Sequence, residues 1–183
     1  MLVDDRMGIV NKPEVSKNIA GFYIGTTVFV SVLFGIVFYF IYTEAPPDSL
    51  LATAILVPVI IIVEIVMFLA IASIYRTRYI VTDNELIIKT SSIIGGSKTI
   101  PLNTITSAQR TLIPVGFRLF GASFHGGHYY IPTIGRAFVA ITNFRDGILI
   151  KTTNINYIIT PNNPDNFIEN MEKNRLRSLN IQS

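Results

Sequence analysis

The sequence predicts a membrane-anchored α+β protein, in which a two-helix transmembrane hairpin precedes an antiparallel β-barrel or sandwich with a C-terminal helix. Three observations predict it. Two apolar stretches of bilayer length lie in the N-terminal half, separated by a short loop. Beyond them, short runs rich in β-branched and aromatic residues alternate with turn signals. The C-terminal stretch then takes up helical periodicity.

The first apolar stretch, IAGFYIGTTVFVSVLFGIVFYFIY, runs from Ile19 to Tyr42, and the second, LATAILVPVIIIVEIVMFLAIASI, from Leu51 to Ile74. At 1.5 Å per residue each reaches roughly 36 Å, enough for a hydrocarbon core of about 30 Å. The first is too long for a signal-peptide core, and a second span follows directly. A mean hydropathy of +0.48 agrees with membrane segments. The loop TEAPPDSL, Thr43 to Leu50, is short enough to make the helices antiparallel neighbours. Pro46 and Pro47 stop the first helix there, and Asp48 or Ser49 can cap the second.

The loop carries Glu44 and Asp48 but no Lys or Arg, whereas Arg6, Lys12, Lys17, Arg76 and Arg78 flank the spans. The positive-inside rule then places two spans in the plasma membrane with both termini cytoplasmic. Tyr23, Tyr39, Tyr42 and Tyr75 stand near the span ends, as interfacial anchors do. The domains read as a cytoplasmic tail over 1–18, the hairpin over 19–74 and a cytoplasmic domain over 75–183.

Charge is uneven. From Tyr75 onward there are twelve Lys and Arg against six Asp and Glu, while the tail is neutral. A basic domain held at the inner leaflet is drawn to anionic lipid, and Arg76, Arg78, Lys89, Lys98, Arg110 and Arg118 are candidate head-group contacts. Ordinary solubility charge explains the same excess equally well.

The cytoplasmic part opens with RYIV, ELIIKT and SKTIPL and continues through TITSAQRTLI, RAFVAIT, GILIKTT and NYIIT. Thr82-Asp83-Asn84, Gly95-Gly96, the Asn143 to Gly147 stretch and Thr153-Asn154 separate these runs as turns. Asp146-Gly147 predicts a hairpin between two strands. In TPNNPDNFIENMEKNRLRSL, Asn163 is an N-cap, Pro164 the first helical residue and Asp165 a first-turn acid. Phe167, Ile168 and Met171 give that helix one apolar face, with Lys173, Arg175 and Arg177 late in it. About seven strands and one capping helix are expected.

From about Arg78 to Lys173 the sequence resembles the prokaryotic pleckstrin-homology-like (PH-like) domain families. RYIVTDNELIIKT resembles their opening hairpin, KTIPLNTITSAQ the strand and turn that follow, and RLFGASFHGGHYYIPTIGRAFVAIT the glycine-bearing middle of one branch. YIITPNNPDNF resembles the strand-to-helix junction. The resemblance implies a seven-stranded barrel-like sandwich with one capping helix, often attached to two membrane helices. It implies no common activity.

Both histidines lie in the glycine-rich stretch, His125 and His128 with Gly126-Gly127 between them. A metal site needs three or four ligands. The chain has no Cys, and Asp146 is the one acidic residue between Glu85 and Asp165. The glycines also rule out the helical turn that an HExxH pair requires. The histidines are therefore expected as exposed loop residues, with no metal. P-loop, dinucleotide and GxSxG signatures are all missing, as is a Ser/His/Asp constellation. No enzyme activity, no cofactor and no nucleic-acid partner are expected.

Glu64 falls near the centre of the second span, where a carboxyl costs about 2.5–3.5 kcal/mol on insertion scales and so avoids lipid. It marks a polar contact, either to Thr26, Thr27 or Ser31 of its own hairpin or to a partner helix. Proton handling is a less favoured reading, because one hairpin has no aqueous path of its own. Gly21, Gly25, Ser31 and Gly35 place small residues along the first span, where helix backbones approach closely. The hairpin can use that face internally, or an oligomer can. The expected function is a non-catalytic scaffold or accessory subunit that binds protein partners, or itself, at the inner membrane surface. The alternative is an anionic-lipid-binding module.

Overall fold

The computed structural model describes residues 8–13, 15–44, 50–91, 96–114, 116–120 and 126–181. The chain divides into two compact units, Lys17–Ala72 and Met1–Ser16 with Ser73–Ser183. The expected caps and breakers at residues 46–49 lie outside the described residues.

The first unit is a pair of helices, α1 (Lys17–Glu44) and α2 (Leu50–Arg76), each a little longer than its apolar stretch. Both are apolar around their whole circumference, and α2 runs through Pro58 without ending. Nearly all of that surface is uncovered: Phe29 is 67% exposed and Phe68 70%. The two helices are long and apolar enough to cross a membrane.

The second unit holds ten described strands and one α-helix. The strands are β1 (Ile9–Asn11), β2 (Arg78–Val81), β3 (Glu85–Lys89), β4 (Lys98–Pro101), β5 (Ile105–Thr111), β6 (Phe117–Phe120), β7 (Gly126–Ile131), β8 (Gly135–Ala140), β9 (Gly147–Thr152) and β10 (Asn156–Ile159). A 3-10 turn, Leu102–Thr104, links β4 to β5, and α3 spans Pro164–Ile181. The strands form two separate sheets, ordered β1-β2-β3-β4 and β5-β9-β10-β8-β7-β6. The expected barrel is thus not closed; two open sheets share a core instead.

Alternation of side chains sets that core. Tyr79, Val81, Leu86, Ile88 and Ile100 face inward from the smaller sheet. Phe138, Ala140, Ile148, Ile150 and Ile159 meet them from the larger one, and Phe167 and Met171 of α3 complete the cluster. Each Val, Leu, Ile, Phe or Met among them contributes about 1.5–3 kcal/mol on full burial. The Asn163 side chain accepts a hydrogen bond from the Asn166 amide at 3.2 Å, which makes it the N-cap of α3. Because α3 continues to Ile181, Lys173, Arg175 and Arg177 fall short of its last turn.

The larger sheet is apolar on its other face as well. Ala137, Val139, Leu149 and Ile158 alternate with the core residues of the same strands and form a second cluster with Ile131 and Ile141. Ile113, in the segment after β5, packs over it. Gly116 lies so close to β7 that a Cβ there would stand 2.7 Å from Ile131 Cγ1.

Two expectations are corrected by this topology. First, Asp146-Gly147 does not close a hairpin. β10 inserts between β8 and β9, parallel to β8 and antiparallel to β9, so the sheet is mixed rather than antiparallel. The side chain of Asn143 organises the turn before β9, by accepting from the Arg145 and Asp146 amides. Second, the N-terminal segment is not a plain tail. β1 pairs antiparallel with β2 across Ile9–Val81, Val10–Ile80 and Asn11–Tyr79. Ser16 donates its amide to Thr142 O at 2.9 Å, and Asn11 accepts from the Asn162 amide. Residues on both flanks of the hairpin therefore belong to one β-domain.

Candidate functional site

Within the hairpin, α1 and α2 leave an apolar groove of about 440 Å³, lined by Ser31, Phe34, Phe38, Val57, Ile60 and Glu64 among others. Its one polar pair joins the helices: the Ser31 hydroxyl stands 2.7 Å from Glu64 Oε1. The same hydroxyl stands 2.9 Å from Thr27 O. Thr26 and Thr27 do not reach Glu64; their hydroxyls donate to Phe22 O and Tyr23 O one turn back. Among the described residues, Glu64 has no second hydrogen-bond donor.

Of the small residues of α1, Ser31 reaches α2 but the glycines do not pack against it. A Cβ at Gly21, Gly25 or Gly35 would meet nothing within 4 Å. Gly35 instead lines the groove beside Glu64, so glycine and carboxylate share one open surface.

In the β-domain, the sequence missed a cluster built on Phe138. Lys98 Nζ stands 5.2 Å over its ring, and His128 meets the ring edge-on at a centroid distance of 5.2 Å. Tyr157 approaches from the next strand at 6.2 Å. His128 is therefore a partly buried residue of β7 and not an exposed loop residue, because strand pairing with Phe138 turns its ring onto the inner face of the sheet. Burial, and then the Lys98 cation, hold its pKa below the usual histidine value. The imidazole-on-aromatic pair follows from the period of two in β7 and β8, but only once their register is known. His125 lies outside the described residues. Among the described residues no three His, Asp or Glu side chains gather as a metal site would need.

The six candidate cations lie on several elements of the second unit. Arg78 and Lys89 are register partners at one end of the smaller sheet. Arg78 donates to Tyr75 O and Thr77 O at 2.8 and 2.7 Å, so it caps the C-terminus of α2. Arg76 is exposed at the last position of that helix. Arg110 is bound to Asp146 at 3.2 Å and Asp165 at 3.1 Å. Lys98 sits on Phe138, and Arg118 lies on edge strand β6 opposite Tyr129.

Two family models, each described as a bacterial PH domain, match the chain over residues 77–175 and 22–122. The chain belongs to the bacterial PH domain family. The first match covers the second unit from β2 into α3; the other begins inside α1 and runs through α2 to β6 and beyond. No curated protein and no solved structure matches it. The match over residues 77–175 takes in β2 to β10 and most of α3, and two apolar helices precede it as an anchor would.

Proposed function

We propose that this bacterial PH-domain protein is a non-catalytic, membrane-anchored scaffold or accessory subunit that docks a protein partner through the α1–α2 groove. The hairpin crosses the plasma membrane twice, with both termini in the cytoplasm. Two independent features support that topology. Basic residues flank the spans and acidic ones occupy the loop. In addition, the pairing of β1 with β2 keeps both flanks of the hairpin in one domain, hence on one side of the membrane.

The observation that carries partner docking is the polar pair in the groove. Among the described residues Ser31 gives Glu64 its one side-chain hydrogen bond, a carboxyl group can make more, and in hydrocarbon no water supplies them. A donor from a third helix fits there, and Gly35 leaves its backbone room to approach. A lipid-head-group site on the β-domain is less favoured, because Arg110, Arg78 and Lys98 are already engaged.

A photo-crosslinking residue at Phe38, in the groove, tests this in intact membranes. The expected result is one discrete adduct, absent when the crosslinker replaces Val32, which is exposed but does not line the groove. Equal adducts from both positions would contradict docking at the groove.

A further inference from the structure

The end of the β-domain that leads by the chain into α1 carries exposed apolar side chains on two adjacent loops. The backbone amide of Ser16, which directly precedes Lys17 of α1, donates to Thr142 O. Thr142 leads into the 143–146 turn, whose Phe144 is 54% exposed and whose Arg145 is exposed. Beside that turn stands the end of β5: Thr111 pairs with Gly147, and a Cβ on Gly147 would stand 2.7 Å from Ile113 Cδ1. Leu112, between them, is 79% exposed. Two apolar tips therefore project from the part of the domain that is joined to a bilayer-length helix.

We infer that Leu112 and Phe144 insert into the bilayer interface and hold the β-domain in one orientation on the membrane. The inference rests on the hairpin spanning the bilayer. The chain itself supplies the proximity, since Ser16 fixes this end of the domain within one residue of α1. The chemistry fits an interface rather than a charged head group. Asp146 and Asp165 are both engaged by Arg110, which offsets one of their two charges, while Arg145 can extend its head toward phosphates over an apolar stem. Phe117 is equally apolar and 72% exposed, but it pairs with Tyr130, at the opposite end of β7 from Gly126, the partner of Ala140.

The chain contains no Trp, so single substitutions report on their own surroundings. Phe144→Trp, Leu112→Trp and Phe117→Trp are prepared in the full chain and placed in nanodiscs of zwitterionic lipid, with and without brominated acyl chains. Phe29→Trp, in the middle of α1, reports separately on whether the hairpin is inserted. Brominated lipid is expected to remove roughly half the emission at positions 144 and 112, as for side chains seated at the acyl boundary. Emission at 117 should not change, and added salt should not reverse the effect. Quenching at 29 with none at 144 and 112 overturns the inference and points to a protein partner for these tips. Equal quenching at 117 also overturns it. Absence of quenching at 29 refutes the spanning hairpin itself.

Discussion

The Tyr79 hydroxyl donates to Ala140 O at 2.6 Å, and so ties the first strand after α2 to the larger sheet. The same oxygen accepts from the Thr160 amide at 3.3 Å. Both partners are buried, and the Tyr79 ring packs edge-on against Phe167 of α3. One side chain thereby joins both sheets and the helix.

Tyr79→Phe keeps the ring and deletes the hydroxyl. Ala140 O and the Thr160 amide lose a partner inside the core, at a cost of about 1–3 kcal/mol. Thermal unfolding of the detergent-solubilised full chain should show the loss, and an unchanged midpoint would refute it. Burial also pushes the Tyr79 pKa up to about 12. The unfolded side chain ionises near 10, so above that pH the unfolded state binds fewer protons than the folded one. Stability from this residue is intact below pH 10 and declines as pH rises toward 12. The decline should be shallower in Tyr79→Phe.

His128 gives the opposite dependence. Its folded pKa lies below 6.5, first through burial and then through Lys98. Stability is fully present above the unfolded pKa and is lost as pH falls through the folded one. Acidification from pH 7 should lower the unfolding midpoint of the wild type more than that of His128→Gln. Lys98→Met should weaken the effect by removing the second cause. Parallel pH profiles for wild type and His128→Gln would rule this out.

The docking of the N-terminal segment is testable because the chain has no Cys. Val10 and Ile80 are register partners in β1 and β2. Val10→Cys with Ile80→Cys should form a disulfide under mild oxidation, and moving the first cysteine to Lys12, beyond the strand, should reduce the yield. Equal yields would mean that the segment does not pair as described.

How much of this was legible in the sequence depends on the range of the interactions involved. The hairpin and the cap of α3 are local: a bilayer-length apolar run and an Asn-Pro-Asp start specify themselves. β1 was not legible, because Ile9–Asn11 is three residues long and gains its structure only by lying against Ile80 across the whole hairpin. The insertion of β10 was equally hidden. Asp146-Gly147 has the residues of a hairpin turn, but β10 stands between β8 and β9, with Tyr157 as register partner of both Phe138 and Ile150. At the hairpin, Glu64 was conspicuous as an isolated carboxyl. That Ser31, rather than Thr26 or Thr27, reaches it depends on helix rotation, which the apolar pattern of an all-round hydrophobic helix does not encode.

The proposed topology rests on flanking charge and on the shared domain. A reporter fused after Ser183 should be active only if it works in the cytoplasm, and one inserted between Pro46 and Pro47 only if it works outside. Reversed activities would invert the arrangement.

The most direct test of partner docking is the size of the complex extracted in mild detergent from wild type, Glu64→Gln and Glu64→Leu. Glu64→Gln keeps a polar group of the same shape beside Ser31 and adds donors, so it should retain the complex. Glu64→Leu removes the polar contact while making insertion easier, so the protein should still reach the membrane but migrate without its partner. A complex of unchanged size in Glu64→Leu would contradict docking at the groove and leave the hairpin as a plain anchor.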